Sequence, residues 1–153
     1  MSIAEYSNPW TFNGVEITEP SNYHGFVYIL TDTRNGKRYI GKKSFWSKIT
    51  PKGAKRKKTV ESNWRGYYSS SKLIKEIIKE HGKDVFKREI IALCELERHM
   101  NYLEVKYQFQ FNILEQPEQW YNENINGCWY PHLYADVYDK SLINSNISII
   151  AGK

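Results

Sequence analysis

The pair Asn35-Gly36 stands between two short runs rich in β-branched and aromatic residues, Phe26-Val27-Tyr28-Ile29-Leu30 and Tyr39-Ile40. Asn-Gly accepts the positive φ angles of a tight two-residue turn, and the flanking residues suit paired strands, so a β-hairpin follows from local physics. Side chains alternate along a strand. This puts Phe26 and Tyr28 on one face, Val27 and Ile29 on the other, and sets Tyr39 against Ile40. Two phenols, Tyr28 and Tyr39, can therefore project from neighbouring strands. Cross-strand aromatic pairs ordinarily serve the sheet, at about 0.2 to 1 kcal/mol each, so the tyrosines acquire chemical meaning only from other residues.

A chain of 153 residues is long enough for one domain with a real core and too short for two ordinary ones. No apolar run approaches the length that crosses a bilayer, so no membrane association is expected. The N-terminus has an acid and no basic cluster ahead of an apolar stretch, unlike a secretory signal. Cys94 and Cys128 lack metal-ligand spacing and make a poor disulfide framework, which fits an intracellular, cytoplasmic setting. The net charge of +5 is concentrated rather than spread. Lys48, Lys52, Lys55, Arg56, Lys57 and Lys58 follow one another with no acid between them. Such a run offers phosphates salt-dependent, sequence-independent affinity. It also suits a solvated loop, since Thr50-Pro51-Lys52-Gly53 is turn chemistry.

Residues 1–23, with Pro9 and Pro20 and no sustained periodicity, read as an arm packed by Trp10 and Phe12. A serine cap at 69–71, apolar pairs at 73/74 and 77/78 and a terminal Gly82 predict a helix between them. Val85 to Leu93 reads as a third strand. From Glu97 to about Glu115, Met100, Leu103, Tyr107, Phe111 and Leu114 recur every three or four positions, the pattern of an amphipathic helix facing the core. Glu104 falls at the margin of that stripe. It either extends to solvent or, if partly buried, requires a compensating cation such as a metal. Residues 128–153 read as an extension, in which Ile147, Ile149 and Ile150 suit an edge strand, a docking segment or a contact between subunits. A mixed α/β (α+β) domain over residues 24–127 is the expected architecture.

These residues resemble the GIY-YIG nuclease family, small mixed α/β domains that cut phosphodiester bonds with a divalent metal. Val27-Tyr28 looks like the end of the first family motif, and Tyr39-Ile40-Gly41 is the second motif verbatim. Lys42 follows where many members carry lysine. Leu103-Glu104 resembles the late helix with the metal-binding glutamate, and Asn122 the asparagine that often closes the domain. The chain departs from the pattern at Phe26, which stands where the first motif has glycine, with Gly25 one position earlier. It departs again at the catalytic arginine, whose uninterrupted position falls near Ile49. The basic run looks like an insertion, and Arg65 is preferred over Arg56 as the displaced arginine, because Tyr67 and Tyr68 beside it resemble the family's second aromatic or imidazole group near the phosphate; Tyr68 equally suits packing against the hairpin.

The resemblance implies a DNA endonuclease of compact, phage-like type. Tyr28 would be the general base, Tyr39 and Arg65 would position water and phosphate, Lys42 would favour the phenolate, and Glu104 would hold Mg2+ or Mn2+. Gly41 and Asn122 would support the site, and Lys43 would join the basic run in holding DNA. A homodimer is compatible with the aromatic tail. Two other readings stand beside this one: a DNA-binding module that kept the fold and lost catalysis, and an interaction protein whose tail builds an interface.

Overall fold

The computed structural model describes residues 8–131 of the chain. In chain order its elements are β1 (Thr11–Phe12), β2 (Val15–Glu16), β3 (Gly25–Asp32), β4 (Arg38–Ser44), β5 (Trp46–Ile49), β6 (Lys58–Glu61), α1 (Lys72–His81), β7 (Phe86–Cys94) and α2 (Glu97–Gln110). The isoleucines at 147, 149 and 150 lie outside the described residues.

β3 and β4 form the expected hairpin, with Tyr28 opposite Gly41 and Leu30 opposite Tyr39. Its turn differs from the expected one. Gly36 takes a positive φ of 78°, whereas Asn35 does not, and the loop runs from Thr33 to Gly36 instead of spanning Asn35-Gly36 alone, closed where the Asp32 N–H donates to the Lys37 carbonyl at 2.8 Å. The reason is Asp32, whose buried carboxylate accepts the Arg34 N–H at 3.0 Å and bends the chain before Asn35 is reached. The Tyr121 hydroxyl donates to the same carboxylate at 2.6 Å, and Arg34 pairs with it at 2.9 Å.

The main sheet runs β2-β1-β7-β3-β4, antiparallel throughout except that β1 lies parallel to β7. β3 is therefore an interior strand covered on both faces, and only Thr31 along it is not fully buried. Phe26, Tyr28 and Leu30 pack with Trp10, Trp64 and Ile74 of α1 on one face, while Val27, Ile29 and Ile40 pack with Met100 of α2 on the other. The predicted strand parity holds. Each fully buried aromatic or branched side chain there contributes about 1.5–3 kcal/mol.

α1 begins where predicted, with Ser71 Oγ accepting the Ile74 N–H, and ends at Gly82 with φ of 90°. α2 stops at Gln110, short of the expected Glu115, because Asn112 turns left-handed and Gln116 Nε2 donates to the Phe111 carbonyl at 3.1 Å. A short 3-10 turn, Ile113–Glu115, carries the pattern onward. Part of the N-terminal arm belongs to the sheet: β1 pairs with β7, and Trp10 is buried with its Nε1 donating to the Trp64 carbonyl at 2.7 Å. The basic run lies outside this sheet, its middle an exposed loop over residues 50–57 and its ends within short strands. It connects β5 and β6, which pair only with each other.

Candidate active site

β4 is an edge strand of the main sheet, and its outer side is bordered by residues 119–122. Asn122 lies along it as a substitute peptide: Oδ1 accepts the Ile40 N–H at 3.0 Å, and Nδ2 donates to the Ile40 carbonyl at 2.9 Å. The Arg38 N–H donates to Gln119 and its carbonyl accepts from Tyr121, so the edge is covered from Arg38 to Ile40. A cavity of about 440 Å3 opens beside this covered stretch, with Tyr39 and Lys42 among its walls.

Gly41 has a steric reason. A Cβ there would sit 2.6 Å from Cζ of Tyr28 and 3.0 Å from Cε1 of Tyr39, so the absent side chain is the space the two phenols occupy. Their ring centroids are 6.4 Å apart. Tyr67 meets Tyr28 edge-on at 6.3 Å, and Lys43 sits 4.3 Å above the Tyr67 ring. Burial pushes the Tyr28 phenol well above its ordinary value, and the neighbouring Tyr39 and Tyr67 push it further; a hydrogen bond with Ser69 pulls the other way. Burial also raises Tyr39, again opposed by Ser69. Both phenols are therefore protonated near neutrality. Burial lowers the Lys43 ammonium.

On the other face of β4, Lys42 Nζ donates to Asn101 Oδ1 at 2.6 Å and lies 3.9 Å from Glu104 Oε1. The Glu104 side chain is 16% exposed, and burial raises its pKa despite Lys42. The cavity wraps around the edge and joins the two faces. Tyr39 enters from one, Lys42 and Glu104 from the other, and Ser71 with Lys72 comes from the start of α1.

Among the described residues, no three His, Cys, Asp or Glu side chains gather into a metal cage. Glu104 instead offers one half-buried carboxylate on a polar wall shared with Glu123 and the amides of Gln108 and Asn122. A hard octahedral ion that keeps most of its waters needs only one or two protein carboxylates, so this donor set fits magnesium or manganese.

The remaining expected residues lie elsewhere. Arg65 is held by Glu61, by Glu19 at 3.5 Å and by the Thr18 carbonyl at 2.8 Å, and it lines a separate cavity with Trp10 and Trp64. Arg56 is exposed between β5 and β6 with Lys52, Lys55 and Lys57, and Lys48 and Lys58 are exposed within those strands. Tyr68 faces away from the phenols, with Arg88 4.3 Å over its ring and Asn8 donating to its hydroxyl at 3.1 Å. Its neighbour Tyr67 joins Tyr28 instead. Sequence reasoning did not bring in Ser69, Ser71, Lys72, Gln108 or Glu123. Ser69 had one legible signal, since in extended chain it shares a side with Tyr67.

Residues 10–125 match the family model described as "Putative endonuclease segE, GIY-YIG domain". No curated protein and no solved structure matches the chain significantly.

Proposed function

The chain belongs to the GIY-YIG nuclease family, and from that premise we propose that it is a DNA endonuclease hydrolysing phosphodiester bonds in the cavity at the outer edge of β4. The observation that carries this reading is the convergence of Tyr39, Lys42, Lys72 and Glu104 on one polar space. Hydrolysis needs an aligned water, positive charge on the nonbridging oxygens and stabilisation of the departing alkoxide. Ionised Glu104 would hold magnesium or manganese, which when bound supplies positive charge to the phosphate and the leaving oxygen.

Lys42 and Lys72 supply the cationic grip expected of an arginine. The first turn of α1 carries no acid, so its dipole adds to the grip instead of being neutralised. Tyr39, on the cavity wall, orients the attacking water, and in the small fraction ionised to phenolate it takes that water's proton to become the neutral phenol. Tyr28 is 1% exposed and is absent from the cavity wall. It acts as a positioning residue that, with Ser69, braces Tyr39, in place of the general-base role implied by the resemblance.

The test incubates supercoiled plasmid with purified wild type and Glu104→Ala, with magnesium, manganese or chelator. Metal-dependent nicking or linearisation by wild type, lost in the variant, is expected. Equal cleavage by both proteins, or none by wild type, overturns the reading. The position of Arg65 outside the cavity favours a second reading, a DNA-binding module without catalysis, which predicts binding and no cleavage.

A further inference from the structure

The β5–β6 ribbon has an anchored base and an unsupported outer half. At the base, Ser62 Oγ donates to the Ser44 carbonyl at 2.6 Å, and Trp46 Nε1 donates to the Tyr23 carbonyl at 3.0 Å. Trp64 Nε1 donates to Glu61 at 2.7 Å, and Arg65 ties the same carboxylate to the N-terminal segment. Arg65 is thus an anchor of the ribbon. From Lys48 to Thr59 every residue is exposed, including Ile49 at 47%, so neither face of the outer half packs on the domain.

That outer half carries Lys48, Lys52, Lys55, Arg56, Lys57 and Lys58, and among the described residues none of the six enters an ion pair. Six like charges on one protrusion repel one another, and no part of the domain offsets them. Fold stability gives no reason for this arrangement. A polyanion does.

We infer that the ribbon enters the major groove of duplex DNA, its cations engaging the phosphates on both groove walls, and so fixes the duplex on the domain. A major groove about 12 Å wide admits a two-stranded ribbon, whereas the minor groove, about 6 Å, is too narrow for one. A single strand offers no pair of walls for a ribbon exposed on both faces. The inference rests on the nuclease reading above for its choice of DNA as ligand.

The test measures binding in chelator, so that it stands apart from cleavage. The probes are a 30-base-pair duplex, either strand alone, and the duplex saturated with a minor-groove ligand such as netropsin. Wild type should prefer duplex over single strand and bind equally well with netropsin present. Converting Lys52, Lys55, Arg56 and Lys57 to Gln should flatten the dependence of log affinity on log salt by about three to four, at roughly 0.9 per lost phosphate contact. Replacing residues 50–57 by Asn-Gly should do the same while keeping the stem.

An unchanged salt slope, equal affinity for single strands, or displacement by netropsin would each overturn the inference. Cleavage is read separately. If the ribbon variants cut at the wild-type rate on saturating duplex, affinity and chemistry are separate; if wild type binds as described and never cuts, the nuclease reading fails and the ribbon inference stands.

Discussion

The two hairpins separated only by Phe45 use the same backbone pairing for opposite purposes. In β3–β4 nearly every side chain of the inner strand is buried, and a carboxylate, a guanidinium and a phenol meet at the turn. In β5–β6 every residue from Lys48 to Thr59 is exposed, and among the described residues the cations of that stretch enter no ion pair. Dense packing holds side chains in fixed relation, as Gly41 does by leaving room for Tyr28 and Tyr39. Sparse packing leaves cations free to meet a partner.

The largest expected effect separates the two regions outright. Glu104→Ala should lower the cleavage rate on saturating duplex by at least about 10²-fold, the scale of removing one electrostatic group from a reacting centre. The ribbon neutralisation should raise the half-saturating DNA concentration and leave the maximal rate nearly unchanged, the signature of lost uniform binding. Comparable losses of maximal rate in both variants would erase the distinction.

Next come the phenols. Tyr39→Phe should slow cleavage by about 10²- to 10⁴-fold if Tyr39 receives the proton, and Tyr28→Phe by less, since Tyr28 is not on the cavity wall. Burial raises both phenols, so ionisation becomes easier as pH climbs. The wild-type rate should still be rising at pH 9, with that rise lost in Tyr39→Phe. A plateau near pH 7 would remove tyrosine from the proton transfer. At the acid end, burial raises Glu104, so metal-dependent cleavage should fall as pH drops from neutrality toward that raised value.

Glycines probe the comparison through stability. Gly41→Ala forces a methyl into the Tyr28 ring and should cost about 1–3 kcal/mol, together with most of the activity. Gly53→Ala, between β5 and β6, meets nothing within 4 Å and bears only the cost of its φ of 83°, about 1 kcal/mol. Thermal unfolding of the two variants should rank them in that order. An equal or reversed ranking would mean that the Tyr28–Gly41 contact does not hold the hairpin.

What the sequence made legible was what local chemistry dictates: the β3–β4 strand parity, the cap and stop of α1, the strand β7 and the mixed α/β layers. Less legible was whatever depends on distant residues. Asp32 changed the turn because Tyr121 and Arg34 converge on it, a meeting that no window around Asn35-Gly36 contains. Arg65 was preferred as phosphate ligand for its neighbouring tyrosines and against the family spacing, and in the folded chain Glu61 and Glu19 pair with it. Lys72 looked like an ordinary first residue of a helix until the β4 edge was set against it. Of the pair Tyr67 and Tyr68, which one meets Tyr28 turns on a single step of alternation, which the sequence fixes poorly when an insertion precedes it.

The smallest expected effect concerns acid. Burial pushes Asp32 up, but hydrogen bonds from Arg34 and Tyr121 outweigh it and leave the carboxyl below its ordinary value. A carboxyl lowered in the folded state contributes stability that is present above its unfolded value, near 3.9, and is lost as pH falls through the folded value. Arg34 is 37% exposed, so solvent weakens its share, and Asp32→Asn should cost only about 1 kcal/mol at pH 7. The gap between wild type and variant in urea unfolding should stay constant down to about pH 5 and close below pH 4. Lys55→Gln, in the ribbon, should shift stability at neither pH. A gap that does not narrow at all as pH falls below 4 would show that Asp32 acts through shape alone, and a Lys55 effect as large as that of Asp32 would show that the ribbon is bound into the fold after all.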